Sequence, residues 1–330
     1  MSPASHADDF LPTASLKNLR LRAQLLRRLR EFFDERGFLE VETPVLSADT
    51  VVDRHLDPFS VVVQPASASR AEKRYWLQTS PEFGMKRLLV AGATAIYQVT
   101  RAFRQDEQGP LHNPEFTMVE WYRVGDRLAE GMQLLSDLGE TLLGRGPAER
   151  LTYREAFCRY AGFDPHTITN ESLVATVKAA GIDAPASMSP DDRDGWLDLV
   201  LVDRVQPRLG EERPAILHDF PASQAALARV RPDDPPVAER FELYVAGMEL
   251  ANGYHELLDP AVLRDRNAQS NQLRRADGKP SLPEDSRLLS AMDAGLPPST
   301  GVAMGFDRIV MLAAGAQRLD EVIAFPFDRA

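Results

Sequence analysis

The sequence predicts an α+β protein, an antiparallel sheet flanked by helices, and three observations carry that prediction. Two stretches, 95–123 and 240–258, read as hairpins, because runs rich in β-branched and aromatic residues are separated by turn formers. A third, Gly301 to Leu312, reads as a glycine-containing strand that feeds an apolar helix. Between the hairpins, residues 127–209 follow a mostly helical pattern, broken near Gly144, Gly162 to Pro165 and Pro185 to Pro190. A helical insertion packed on the sheet is expected there.

Composition narrows the function classes. The 330 residues suffice for one large domain or two modest ones, and 44% hydrophobic with 26% charged residues is a soluble globular composition. The first residues lack a basic region followed by an apolar run, and no stretch approaches the roughly 20 apolar residues of a membrane span. A cytoplasmic location without membrane contact is expected. The single Cys158 excludes a disulfide or a cysteine metal cluster within one chain. A net charge of −11 works against a broad nucleic-acid surface, which needs Lys and Arg to displace counterions, although a local basic patch stays open. The histidines are scattered without ligand spacing. There is no Gly-x-x-x-x-Gly-Lys loop, His-Glu-x-x-His or Gly-x-Ser-x-Gly.

In chain order, residues 1–14 read as a disordered lead. From Ser15 a helix is predicted, with Leu21, Leu25, Leu29 and Phe32 or Phe33 at helical spacing and Gly37 as its stop. Its other face carries Arg20, Arg22, Arg27, Arg28 and Arg30, a solvated or partner-facing surface or else a basic docking face. Leu39 and Val41 then alternate with glutamates as a short strand closed by Pro44. Tyr75 to Thr79 reads as a strand, and Ser80-Pro81-Glu82 as the cap, first-turn proline and early acid of a helix striped by Met85, Leu88 and Leu89.

The first hairpin pairs Ala95 to Phe103 with Phe116 to Arg123 across a loop holding Gly109-Pro110 and Asn113-Pro114. Alternation puts Phe116, Met118, Glu120 and Tyr122 on one face. A glutamate between Met and Tyr, with Arg104 and His112 at the hairpin mouth, suggests a ligand surface and not a core face. After an expected strand at Ala215 to Phe220 and a loop at Asp233 to Pro236, the second hairpin turns at Ala246-Gly247. Tyr244 is then expected opposite Glu249, and Glu242 opposite Ala251. Two carboxylates that close repel unless a cation lies between them. Glu256 lies an odd number of residues past Glu249, so a bulge at Asn252-Gly253 is expected to restore its phase. All three glutamates can then face one site, the alternative being a solvated sheet face.

These motifs resemble those of class II aminoacyl-tRNA synthetases, in the lysyl-tRNA synthetase version. Val99 to Arg123 resembles motif 2, Gly301 to Leu312 motif 3, and the first helix, strand and proline motif 1. The resemblance implies amino-acid activation, in which a substrate carboxylate attacks the α-phosphorus of ATP. It implies Arg104 on the α-phosphate and Arg308 on the γ-phosphate as the catalytic pair, Asp106 at the adenine edge and Phe116 on the adenine face. Gln105, His112, Asn113, Glu249, Leu250 and Gly305 would complete the ATP site, with Glu242 and Glu249 on Mg²⁺. Ser80, Pro81, Glu82, Glu120, Tyr122, Glu256 and Ala303 would surround the amino acid, and motif 1 would form a homodimer.

Departures from the lysyl pattern sharpen the assignment. Asp106 is shorter than the usual glutamate, Ser80 replaces alanine, and Ala303 stands where glycine is usual. Lysyl-tRNA synthetases place an anticodon-binding barrel before motif 1, whereas here that motif begins at about Ser15. Together these features resemble the elongation factor P lysine ligase family, which activates (R)-β-lysine and transfers it to a lysine of elongation factor P. A single catalytic domain over 15–330 with no tRNA role is then expected. The alternatives are a minimal lysyl-tRNA synthetase-like enzyme charging tRNA and a non-catalytic regulatory paralogue. The presence of Arg104, Glu242, Glu249 and Arg308 argues against the second.

Overall fold

In the computed structural model, residues 10–64, 72–185 and 188–330 are described. Residues 1–9 of the expected lead, and 186–187 within the expected break at Pro185 to Pro190, lie outside them. Of the rest of that lead, Ala14 is buried, and the Thr13 N–H donates to Ala324 O at 2.9 Å.

Helix α1 (Leu16–Asp34) starts where Ser15 Oγ accepts the Asn18 N–H, and the chain leaves it through Gly37 at φ 72°. It buries Leu25, Leu29, Phe32 and Phe33, and Phe33 stacks on Tyr97 at 4.4 Å. The Arg face divides. Arg20, Arg27, Arg28 and Arg30 are exposed, but Arg22 turns inward to Asp307 at 2.6 Å. Helical spacing could not show this, because Asp307 comes from the far end of the chain.

The remaining elements follow as β1 (Leu39–Glu40), β2 (Leu46–Ser47), β3 (Ser60–Val63), β4 (Lys73–Leu77), α2 (Glu82–Val90), β5 (Ala95–Phe103) and β6 (Glu115–Val124). Then come α3 (Leu128–Leu143), β7 (Glu149–Thr152), α4 (Tyr153–Tyr160), α5 (Asn170–Ala179), α6 (Arg193–Val200), β8 (Ala215–Pro221) and β9 (Val230–Arg231). The chain ends with β10 (Val237–Val245), β11 (Met248–His255), α7 (Pro260–Ala276), α8 (Arg287–Gly295), β12 (Ser299–Gly305) and α9 (Phe306–Ala314). The main sheet runs β1-β5-β6-β12-β11-β10-β8-β7, with β9 beside β10. It is antiparallel except at its edges, where β1 joins β5 and β7 joins β8 in parallel. The predicted strand at Tyr75 to Thr79 is β4, which lies in a separate small sheet ordered β2-β4-β3.

One face of the main sheet carries Val119, Trp121, Leu243 and Met304 against α1, α3 and α9. The other carries Met118, Glu120 and Tyr122, with α2 and α8 packed beside it. This division follows from the strand alternation of β6 and leaves the second face free for chemistry. Region 127–209 is less uniform than expected. Its first helix, α3, belongs to the main core through Leu134, Leu135 and Leu138. Its strand β7 was not predicted, since Glu149-Arg150-Leu151-Thr152 offers a single buried apolar residue as signal. Helices α4, α5 and α6 form their own core around Tyr153, Phe157 and Trp196.

The second hairpin turns at Ala246 and Gly247, both with positive φ, the two-residue turn that matches strand twist. Tyr244 faces Glu249 as expected, but Glu242 faces Asn252 and Leu243 faces Ala251. The bulge therefore lies at Leu250, whose side chain drops into the main core, and not at Asn252-Gly253. Gly253 has another reason to be glycine, because a Cβ there would sit 2.4 Å from Phe241 Cζ. Among the described residues, no helix is long and apolar enough to cross a membrane.

Candidate active site

A cavity of about 1380 Å³ opens on the polar face of the sheet. The alternation of β6 sends Phe116, Met118, Glu120 and Tyr122 into it, and β12 contributes Gly301, Ala303 and Gly305. Ser80 and Glu82 come from the start of α2, and Glu249, Asn252, Tyr254 and Glu256 from β11 and the residue after it. The displaced bulge does what the expected one would have done, bringing Glu249 and Glu256 to the same side.

At one end the cavity is acidic and closed. Glu82, Glu120 and Glu256 are 7%, 1% and 1% exposed. Glu120 accepts from Tyr122 Oη at 2.6 Å and from Ser80 Oγ at 2.7 Å. Ser80 Oγ also accepts the Glu82 N–H at 3.0 Å, so it serves the helix start and the site together. Pro81 occupies the cap position of α2 and not its first turn, and its side chain is outside the cavity lining. Burial, and then the charge of Glu82, push the Glu120 carboxyl up to about 7.

Lys86, one turn after Glu82, is 1% exposed. Its ammonium bonds the Glu82 carboxylate and lies 2.6 Å from Glu256 Oε2. Burial alone would lower the Lys86 pKa, but the attraction of Glu256 and Glu82 outweighs it and raises the value. Burial pushes Glu256 upward against the pull of Lys86. We read the pair as ionised, since a neutral Glu256 would leave the buried ammonium with one partner. Gly301 makes this packing possible. A Cβ there would lie 2.2 Å from Tyr122 Cε1 and 2.3 Å from Glu256 Oε1.

The other end is cationic and looser. Arg104 lies over the Phe116 ring at 5.1 Å, reaches Glu107 at 3.6 Å, and has a buried Nε with no hydrogen-bond partner among the described residues. Arg308 donates to Glu249 O at 2.8 Å and to His112 Nε2 at 2.7 Å. Burial and the nearby guanidinium hold His112 below the usual imidazole range, so it accepts as a neutral ring. Behind Arg308, Asp307 pairs with Arg22 and accepts the Thr117 N–H at 2.8 Å, tying α1, α9 and β6 beside Phe116.

Not every expected residue lines the cavity. Gln105 and Asp106 are exposed, because Asp106 turns the chain at φ 65° and swings outward while Glu107 takes the cavity position. Asn113 and Leu250 line it, but Asn113 also pins the C-terminus by accepting the Phe327 N–H at 2.9 Å. Glu249 is half-buried, and its carboxylate has no hydrogen bond among the described residues. Burial and Glu242 raise it to about 7. Glu242 itself does not line the cavity and is held by Arg240 and Tyr244. Among the described residues no three His, Cys, Asp or Glu side chains cluster as a metal site. Sequence reasoning gave no site role to Lys86, Asn252 or Tyr254. The Glu82 to Lys86 spacing of four along a helix was the one signal available.

The architecture and this two-ended cavity define a class II synthetase core, and residues 8–329 match the family model of the tRNA synthetases class II (D, K and N). The chain belongs to that family. Relatives within it carry the name elongation factor P--(R)-beta-lysine ligase. The Vibrio cholerae serotype O1 protein is 47% identical over 98% of this chain and 99% of its own length. That of Erwinia tasmaniensis is 47% identical over 98% and 99%, and that of Salmonella arizonae 46% over 99% and 100%.

Proposed function

We propose that this chain is an ATP-dependent ligase that activates (R)-β-lysine as its adenylate and transfers it to a lysine side chain of elongation factor P. One observation carries the reading. Three buried carboxylates, Glu82, Glu120 and Glu256, share a cavity with an aromatic shelf flanked by Arg104 and Arg308. The first end suits ammonium groups and the second a nucleotide. The names of the relatives supply the substrate and the acceptor.

In the first step a substrate carboxylate oxygen attacks the α-phosphorus of ATP, and the bond to pyrophosphate breaks. The substrate is the nucleophile, so the protein's work is positioning and charge neutralisation. Arg104 holds the α-phosphate with its unpartnered Nε side, Phe116 takes the adenine face, and Arg308 with neutral His112 holds the γ-phosphate. Asn113, Leu250 and Gly305 shape the nucleotide site. In the second step the neutral amine of the acceptor lysine attacks the adenylate carbonyl, the bond to AMP breaks, and the amine proton leaves to solvent. Mg²⁺ would be held by Glu249, whose half-buried carboxylate has no hydrogen bond among the described residues, and not by Glu242, whose oxygens Arg240 and Tyr244 occupy outside the cavity; it would offset phosphate charge.

Residues 15–330 act in this reading as one catalytic domain, supported by the continuous sheet that runs through it. A homodimer near motif 1 is supported by the exposed Leu39, Leu46, Val61, Val62 and Val63. The test is transfer of label from (R)-β-lysine and from L-α-lysine, with ATP, to purified elongation factor P and in parallel to bulk tRNA. Preferential labelling of the protein by β-lysine is expected. Labelling of tRNA by α-lysine would make the chain a minimal synthetase instead.

A further inference from the structure

We propose that Lys86 is a positioning residue that sets how many ammonium groups the acidic end accepts, by occupying the inner sides of Glu82 and Glu256 and leaving two negative charges for substrate. The inference rests on the two-ammonium substrate of the proposed function. It starts from burial. A lysine 1% exposed is rarely tolerated unless its charge is fully paired, and removing one partner of such a set is costly.

The groups around the ammonium come from every element packed there. Glu82 comes from α2 itself, Glu256 from the end of β11, and Glu120 and Tyr122 from β6, with the Tyr122 ring centre 5.9 Å from Nζ. Tyr254 lies on β11 facing the same carboxylates. Gly301 of β12 presents no side chain. Arg240 and Glu242 neutralise each other farther along the sheet. Three carboxylates and one internal ammonium therefore leave a double negative charge when all are ionised.

That balance matches the two ammonium groups of β-lysine. Without Lys86, three carboxylates would crowd a low-dielectric space and take up protons at neutral pH. The internal ammonium pairs with Glu82 and Glu256 and so aims both carboxylates before substrate arrives. A substrate with one amine would then leave one negative charge uncompensated in a buried site, so Lys86 also contributes to rejecting it.

The experiment uses the full chain in ATP-pyrophosphate exchange driven by (R)-β-lysine or by 3-aminohexanoic acid, its single-amine counterpart, between pH 6 and 9.5. Wild type is expected to favour the diamine. In Lys86→Met the KM for β-lysine should rise about tenfold or more at pH 7, the equivalent of one pKa unit, and recover toward pH 9. The KM for ATP should stay unchanged. Calorimetry in buffers of different ionisation enthalpy should find more protons released on β-lysine binding than in wild type. Lys86→Arg, which keeps the charge, should keep the wild-type pH profile even if its KM rises, and serves if the Met variant does not fold. A Met variant with the wild-type profile and proton count, or an Arg variant with an alkaline-shifted one, would overturn the role of Lys86 alone. Failure of wild type to favour the diamine would overturn the substrate reading and this inference with it.

Discussion

The two ends of the cavity solve opposite problems. At the acidic end Glu82, Glu120 and Glu256 already have partners inside the protein, Lys86, Tyr122 and Ser80, and are nearly sealed from solvent. At the cationic end Arg104 Nε has no hydrogen-bond partner among the described residues, and Arg308 is held by two carbonyls and a neutral imidazole that leave its charge uncancelled. In the proposed function, one end is preorganised for recognition of a small dication and the other keeps free charge for an incoming polyphosphate. Changes at one end should therefore be nearly silent at the other.

The largest break in that contrast is Arg308→Ala. Losing a cation aimed at developing phosphate charge should lower the rate of ATP-pyrophosphate exchange roughly 10²–10³-fold. Binding of (R)-β-lysine, followed by calorimetry without ATP, should change little. Joint loss of both would mean that the ends are not independent.

Gly301→Ala probes the acidic end. Its methyl would meet the buried Tyr122 ring and the Glu256 carboxylate at 2.2 and 2.3 Å, and neither is a free side-chain tip that can move aside. Displacing them should raise the KM for β-lysine about 10- to 100-fold, the scale of an ångström-sized misplacement. The KM for ATP, read in the same exchange assay, should hold.

A pH series separates the ends without mutation. Burial and the charge of Glu82 raise the Glu120 carboxyl to about 7, so below that pH it carries a proton and loses its pull on an ammonium. The KM for β-lysine should therefore rise as pH falls, by about tenfold between pH 8 and 6. The KM for ATP should move much less over that range. An equal rise in both would place the titrating group elsewhere.

The parts of this site that could be read from sequence are those encoded locally. The alternation of β6 placed Phe116, Glu120 and Tyr122 on one face, because strand periodicity is a property of neighbouring residues, whereas Ala303 was marked by the resemblance to motif 3. What escaped depends on distant chain segments. Arg22 turns inward only because Asp307 meets it, and Asp106 leaves the site because of one left-handed residue in a loop. The bulge moved to Leu250 because Gly253 was needed beneath Phe241, a packing constraint from the facing strand. Strand β7 had too few apolar residues to announce itself. Lys86 was visible as an i, i+4 partner of Glu82, but such a pair is ordinarily a surface feature, and only burial gives it chemical meaning.

Ala303 tests the comparison most finely, because it sits between the ends. It faces Glu120 on one side and Asn252 on the other, with Gly301 and Gly305 before and after it on the cavity face. In the proposed function its methyl group therefore borders the path of the carbon chain that joins the substrate's amines to its carboxylate. A β-amino acid places its amine one carbon farther from the carboxylate than an α-amino acid does, so the methyl bears on the two differently. Ala303→Gly should raise activity with L-α-lysine relative to (R)-β-lysine about fivefold, below the roughly tenfold to 200-fold span of a methylene in a tight pocket. The ratio is measured in ATP-pyrophosphate exchange with each amino acid saturating ATP. An unchanged ratio would mean that discrimination between the two resides in the carboxylates alone.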